Sequence, residues 1–535
     1  MVADPRKVQL VMQQTRASGI LAHPTSFPGP HGIGDLGEGG YRFVEWLAQA
    51  GQQLWQVLPL CPIGPGNSPY ASPSAFAGNP LLVSLDWLNG DGLLTEQDLR
   101  EAPEFPSTEI DFDRVQAFKL PLLQRAFDRF RRGAATNQRV AFDAFCRDEA
   151  TWLDDYALFM AVKEAHDGVA WIDWDPAIAL RQPDAMATWS EKLHNSIRCH
   201  KFIQFQFRRQ WSELRQYAAR HGIQIVGDLP IFVAYDSADV WAHRDVFRLD
   251  EQGRPEVVAG VPPDAFTDSG QFWGNPLFNW SYLRLNDYGW WIDRVRAMLA
   301  VVDIIRIDHF RGFAAAWTIP AGADTAAEGR WERGPGTAIF EAMQQALGKL
   351  PFLVEDLGLI TRDVPQLRLQ FGLPGMKVLQ FAFDSGPGNA YLPHNYEANC
   401  VVYPGTHDNQ TTIGWFQSRS AWEREEIQRY LGRDGSDIAW DLIRLAFSSV
   451  AATAIVPLQD AMRLGDEARM NTPGRASGNW RWRYMPHQLH LGLAEGLNEL
   501  TATYGRRRMV DEETGYDPFD YSAPNTSHHL YESDQ

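Results

Sequence analysis

Apolar runs that stop abruptly in charge mark the second half of the chain. The clearest is Ile304-Ile305-Arg306-Ile307-Asp308-His309-Phe310-Arg311-Gly312. Period-two alternation puts Val302, Ile304, Arg306 and Asp308 on one face and Ile305 and Ile307 on the other. A guanidinium and a carboxylate therefore arrive together where the strand ends. The same break recurs at Phe352-Leu353-Val354-Glu355-Asp356-Leu357-Gly358 and at Val401-Val402-Tyr403-Pro404-Gly405-Thr406-His407-Asp408-Asn409. Such charges are costly to bury unless they are paired. Three strands that each end in an acid predict one carboxylate-lined site at the C-terminal edge of a parallel barrel.

The rest of the pattern supplies the barrel. Ile20–His23 reads as strand one, Leu36–Ala50 as an amphipathic helix with Gly51 past its end, and Gln53–Leu60 as strand two, a parallel β/α unit. From about 85 to 200 the text turns helical and acidic, including Val115–Arg132 and Ala150–Asp167, which predicts an inserted subdomain after strand two. A long helix, Phe202–Arg220, ends at Gly222 and leads into strand three, Ile223–Asp228. A second insertion covers about 230 to 285. The charged segments at Asp308 and Glu355 are strands four and five; Lys377–Phe383, the run before Thr406, and Ala452–Val456 are six to eight. Helices Glu423–Leu431 and Ile438–Phe447 fit between the later strands. The fold class expected is α/β, a (β/α)8 TIM barrel forming a single catalytic domain, with large insertions on the βα loops and no separate C-terminal β-domain.

Composition narrows the partners. The chain has 535 residues and a net charge of −18, which argues against nucleic acid and anionic membrane surfaces. The first residues lack the apolar core of a secretory signal, and no apolar span is long enough to cross a bilayer. Four scattered cysteines, Cys61, Cys146, Cys199 and Cys400, form no CxxC pair, so a reducing, cytoplasmic setting is expected. No metal-ligand spacing of the usual kinds occurs, and no metal or cofactor is expected. Twenty tryptophans are present. A large core accounts for most of them, but Trp273, Trp331, Trp480 and Trp482 stand in polar loop contexts that suit sugar faces.

Glycoside chemistry needs two carboxyl groups flanking the scissile bond. Asp308 and Glu355, at the ends of sequential strands, meet that need, with Arg306 favouring the charged form a nucleophile requires. Glu355 becomes an acid if burial beside other carboxylates raises its pKa. Asp408 is a third acid able to bind sugar hydroxyls, and His309 and His407 are donors suited to hydroxyl recognition. Any one of these acids alone is better read as an ion pair or a helix cap; three in one arrangement reverse that balance.

These residues resemble the 4-α-glucanotransferases called amylomaltases or disproportionating enzymes, glycoside hydrolase family 77, within the α-amylase superfamily. The resemblance runs through Ser68-Pro69-Tyr70, Phe76-Ala77-Gly78-Asn79-Pro80, Gly227–Val233, Pro262-Pro263-Asp264 and Gly274-Asn275-Pro276. It continues through the three acidic strand ends to Arg469–Gly474 and Gly478-Asn479-Trp480. It implies Asp308 as nucleophile, Glu355 as general acid/base and Asp408 as transition-state stabiliser. It further implies Arg306, His309 and His407 as donors around the reacting sugar and Tyr70 as the ring stacked on it, with Asp228 and Asn479 near the cleft. The stretch 262–273 resembles a family loop arching over the cleft, with Phe266, Gln271 and Trp273 lining the acceptor side. Plainer readings exist: Tyr70 as a turn tyrosine, Asn479 as a turn residue before Trp480, and the loop aromatics as anchors. Two departures stand out: Pro65, where some relatives carry a tyrosine linked to a secondary glucan site, and Ala265, where some carry tyrosine in an acceptor contact.

The activity so implied is retaining transfer of 4-α-glucanosyl segments between α-1,4-glucans or maltooligosaccharides, with glucose also an acceptor. An α-1,4-glucan hydrolase would use the same acids with water. A non-catalytic glucan-binding protein would be favoured had one acid been replaced, and none is.

Overall fold

The computed structural model describes residues 16–263, 269–358 and 361–507. Eight parallel strands close into a barrel: β1 (Ala17–Leu21), β2 (Leu54–Gln56), β3 (Gln224–Pro230), β4 (Ile304–Asp308), β5 (Phe352–Val354), β6 (Gly375–Val378), β7 (Cys400–Tyr403) and β8 (Thr453–Pro457). Each pairs with its neighbours in chain order, and β8 returns to β1 with Ala17 opposite Thr453 and Leu21 opposite Pro457. Ile305 and Ile307 are buried on the outer face of β4, toward the surrounding helices. The inner face carries Arg306, whose guanidinium reaches Asp228 on β3, and inside the same barrel the Tyr403 hydroxyl donates to Gln56 Oε1 at 2.8 Å.

Several boundaries differ from the hydrophobic pattern. β1 begins at Ala17 rather than Ile20, and β2 keeps pairing for only three residues of the eight expected. The strand expected at Lys377–Phe383 starts at Gly375 and turns at Leu379–Phe381 into a 3-10 helix. An apolar run buried on both faces does not show by its letters where ladder pairing stops. Gly375 is required by a neighbour: a Cβ there would lie 2.5 Å from the Asp356 carboxylate, which accepts the Met376 N–H.

Between β2 and β3 lie helices from Leu85–Gly90 to Pro183–Lys192, then a 27-residue helix, His194–Arg220, longer than the Phe202–Arg220 expected. Phe202 on that helix packs at 5.0 Å from Phe130 and 5.7 Å from Phe127, joining the inserted helices to the barrel wall. The insertions after β3 and β4 together build a four-stranded antiparallel sheet ordered Gln271–Pro276, Val257–Val261, Ala315–Pro320, Arg330–Arg333. The sequence pattern did not reveal this sheet. Among the described residues after β8, the chain forms helices, turns and loops, ending in helix Leu491–Thr503. No helix among the described residues is long and apolar enough to cross a membrane.

Candidate active site

The parallel register sets the first two acids. Ile307 on β4 lies opposite Val354 on β5, so Asp308 and Glu355 leave the barrel one residue later on adjacent strands. Adjacent strands stand about 5 Å apart, which brings the Asp308 charge close enough to act on Glu355. The Glu355 N–H donates to the Ile307 carbonyl at 2.9 Å, and the Phe310 N–H to the Glu355 carbonyl at 3.0 Å. These bonds carry the pairing past the last residues of both strands.

The two side chains then meet different surroundings. Arg306 Nη1 donates to Asp308 Oδ1 at 3.0 Å and to both Asp228 oxygens at 2.7 and 2.8 Å. Burial pulls the Arg306 pKa down, but the carboxylates of Asp228 and Asp308 outweigh it and leave the guanidinium well above its ordinary value. Asp228 is raised by burial, against the pull of Arg306. Among the described residues, Glu355 has no side-chain partner of this kind. Its Oε2 accepts the His309 N–H at 2.7 Å and its Oε1 the Leu357 N–H at 3.1 Å. Burial, then the nearby Asp308 charge, raise its pKa from 4.5 to about 8, despite those two bonds and Arg306. The neighbouring Asp356 points elsewhere, toward Met376 and Arg368, and ties β5 to β6.

His309 adopts the left-handed conformation with φ 50°, uncommon for a non-glycine residue. This turn points its N–H at Glu355 while its ring meets Trp273 edge-on at 4.9 Å. Burial drives the His309 pKa down to about 4, so the ring is neutral near pH 7. Trp273 is 37% exposed, and its Nε1 donates to Gln271 Oε1 at 3.0 Å. Both lie on the edge strand of the antiparallel sheet, whose third strand follows β4 after one short turn. Phe232 completes an aromatic wall, 6.3 Å from both Trp273 and His309. Phe266 lies outside the described residues.

From β7 the chain brings in His407 and Asp408. The Tyr70 hydroxyl donates to Asp228 Oδ2 at 2.7 Å, and His407 Nε2 stands 2.9 Å from the Tyr70 oxygen. With the tyrosine proton directed at Asp228, His407 is the donor of the second bond. The two rings are stacked at 5.4 Å, so Tyr70 is fixed by both its face and its hydroxyl. Burial raises the Tyr70 pKa well above 10, which keeps it a neutral donor. Asp408 is 3.4 Å from His407 Nε2. Its Oδ1 accepts from Asn471 Nδ2 at 2.6 Å and its carbonyl from Arg469 Nη2 at 2.8 Å.

Asp308, Glu355, Asp228, Arg306, Tyr70, His309 and His407 are thus linked by contacts around the open end of the barrel, and Asp408, Gln271 and Trp273 flank them. Asn479 is placed differently. Its amide accepts the Thr472 N–H at 3.0 Å and donates to the carbonyls of Thr472 and Arg475. Both ends are engaged in holding its own loop. Arg469 and Asn471 lie in a motif the sequence singles out, but their contact with Asp408 spans more than sixty residues and leaves no local signal. Among the described residues, no group of three or more His, Cys, Asp or Glu could hold a metal ion.

A pair of acids in contrasting environments, beside an aromatic wall at the C-terminal edge of a (β/α)8 barrel, is an arrangement that enzymes acting on glycosidic bonds use. Comparison with known proteins specifies the family. The family model described as 4-alpha-glucanotransferase, glycoside hydrolase family 77, matches residues 22–488, and the chain belongs to that family. It is 51% identical to the 4-alpha-glucanotransferase of Synechocystis sp. over 93% of this chain and 99% of that one. It is 49% identical to the Thermus thermophilus 4-alpha-glucanotransferase over 89% and 96%. The solved amylomaltase of Streptococcus agalactiae in complex with acarbose superposes with a TM-score of 0.89 at 37% identity, covering 92% of this chain and all of that one.

Proposed function

We propose that this enzyme transfers 4-α-glucanosyl segments from one α-1,4-glucan to the 4-hydroxyl of another glucan or of glucose, with retention of configuration. Glu355, neutral until about pH 8, protonates the departing glycosidic oxygen. Asp308, held by Arg306, attacks the anomeric carbon and forms a covalent glucanosyl-enzyme. The Glu355 carboxylate so produced then removes the proton from the acceptor hydroxyl, which attacks the anomeric carbon and releases Asp308. Asp408 and His407 bind hydroxyls of the distorted sugar, Tyr70 packs on its face, and Trp273 with Gln271 forms the acceptor wall that keeps water from competing.

The observation that carries this reading is the asymmetry of the two strand-end acids: one bonded to an arginine, the other held by backbone N–H groups and raised to about 8. Purified protein incubated with maltotriose is expected to give glucose together with longer maltodextrins, at a constant number of reducing ends. Accumulation of reducing ends without longer products would identify a hydrolase instead. The four unpaired cysteines agree with a reducing compartment, and we assign the enzyme to the cytoplasm; cell fractionation that recovers it elsewhere contradicts the assignment.

A further inference from the structure

We propose that Asn471 is a positioning residue for Asp408, acting by fixing which carboxylate oxygen faces the sugar; this rests on the role of Asp408 proposed above. Asp408 stands five residues beyond the end of β7, and its side chain is 45% exposed. A carboxylate so placed samples several rotamers unless something holds it, and a transition-state contact needs a fixed one. The holding group comes from a different loop. Asn471 Nδ2 lies 2.6 Å from Asp408 Oδ1. Facing a carboxylate, that end of the amide must be the NH2. Oδ1 is thereby engaged, and Oδ2, on the His407 side, is the oxygen left for substrate hydroxyls.

The clamp is built from more than one bond. The Asn471 N–H donates to the His407 carbonyl at 3.1 Å. Arg469 donates through Nη2 to the Asp408 carbonyl and through Nε to the Asn471 carbonyl at 2.7 Å. The Trp480 N–H closes the loop onto the Met470 carbonyl at 2.7 Å, and Asn479 ties its interior to Thr472 and Arg475. The backbone of 407–408 is therefore held by Arg469 and the main chain of Asn471. Among the described residues, the Asn471 amide makes the side-chain hydrogen bond to the Asp408 carboxylate, with His407 Nε2 farther off at 3.4 Å, so its removal leaves the loop in place and frees the carboxylate.

The test is a double-mutant cycle on Asp408→Asn and Asn471→Ala, with kcat and KM for transfer from maltotriose and the dissociation constant of acarbose measured for all four proteins. Asn471→Ala is expected to lower kcat about 10-fold to 50-fold and to weaken acarbose by a similar factor, with KM within about twofold, as for a contact made mainly in the transition state. In the Asp408→Asn background the same change is expected to alter acarbose binding less than about twofold. Acarbose binding needs no turnover, so the cycle closes even where Asp408→Asn is inactive. Asn471→Asp, of nearly equal volume, sets a carboxylate against a carboxylate and is expected to lose more than the alanine. An equal loss from Asn471→Ala in both backgrounds, or wild-type kcat in both Asn471 variants, overturns the proposal. Wild-type activity in Asp408→Asn overturns the role of Asp408 itself.

Discussion

The exits of β4 and β5 are neighbours in one sheet and each delivers one acid, yet they are built differently. At β4 the acid alternates with Arg306, so Asp308 leaves the strand with a cation 3.0 Å away and Asp228 sharing it. At β5 the residue two before Glu355 is Leu353, buried and apolar, and among the described residues the carboxyl accepts its hydrogen bonds from main-chain N–H groups. The two carboxyl groups thus differ two residues upstream, at the inward-facing position before each. Arginine at one and leucine at the other give adjacent strands the contrasting surroundings that the proposed nucleophile and acid need.

Breaking either side of this contrast has the largest expected effect. Asp308→Asn and Glu355→Gln should both lower transfer from maltotriose, the first by about 10⁴-fold or more and the second by about 10²–10⁴-fold. A donor with a leaving group that needs no proton, such as α-maltotriosyl fluoride, separates them: formation of the glucanosyl-enzyme recovers in Glu355→Gln and stays lost in Asp308→Asn. Recovery in neither variant, or in Asp308→Asn alone, contradicts the assignment.

Shifting the cation is next. Arg306→Lys keeps one charge but, on a shorter side chain, cannot bring it to Asp228 and Asp308 together as Nη1 does, and kcat should fall about 10²-fold. An unchanged rate would show that the placement of this charge has no catalytic meaning.

The pH dependence sharpens the β5 side. Glu355 must be protonated for the first step, so kcat/KM is expected to fall as pH rises through about 8. Stability carries the same sign. A carboxyl whose pKa is raised on folding weakens the folded state as pH climbs from its ordinary 4.5 toward about 8, because only the unfolded chain ionises freely in that window. Glu355→Gln lacks this loss, so it should melt above the wild type at pH 8, with the gap closing near pH 4.5. Melting temperatures that track together across that range would contradict the burial of Glu355.

Tyr70→Phe gives the smallest effect. It removes the hydrogen bonds to Asp228 and His407 but keeps the ring, and a kcat loss of about 10-fold or less is expected.

The contrast itself was legible before any coordinates, because inward-facing positions on a strand recur every two residues and a charge there interrupts an apolar run. Arg306, Asp308 and Glu355 are visible for that reason, and the barrel follows from their repetition. Other parts of the site leave no such mark. The edge strand Gln271–Pro276 contains Gly274 and Pro276 and presents Phe272 and Trp273 to solvent, so it lacks the alternation of a half-buried strand. His309 in the left-handed region is invisible because histidine, although enriched there, adopts other conformations at most positions. The Asn471–Asp408 bond joins two loops, where no periodicity relates partner positions. Asn479 lies in a motif that the resemblance linked to the cleft; its amide holds the turn of its own loop, while the next ring, Trp480, stands 5.7 Å from Tyr70.

Asp308 as the residue that carries the sugar is the centre of the proposed mechanism. The most direct measurement is mass spectrometry of Glu355→Gln after brief reaction with α-maltotriosyl fluoride, followed by proteolysis. The expected result is a maltotriosyl adduct on the peptide containing Asp308, attached through its carboxyl. An adduct on Glu355→Gln located at Asp408 or Asp228, or turnover of the fluoride with no adduct at any time, contradicts it.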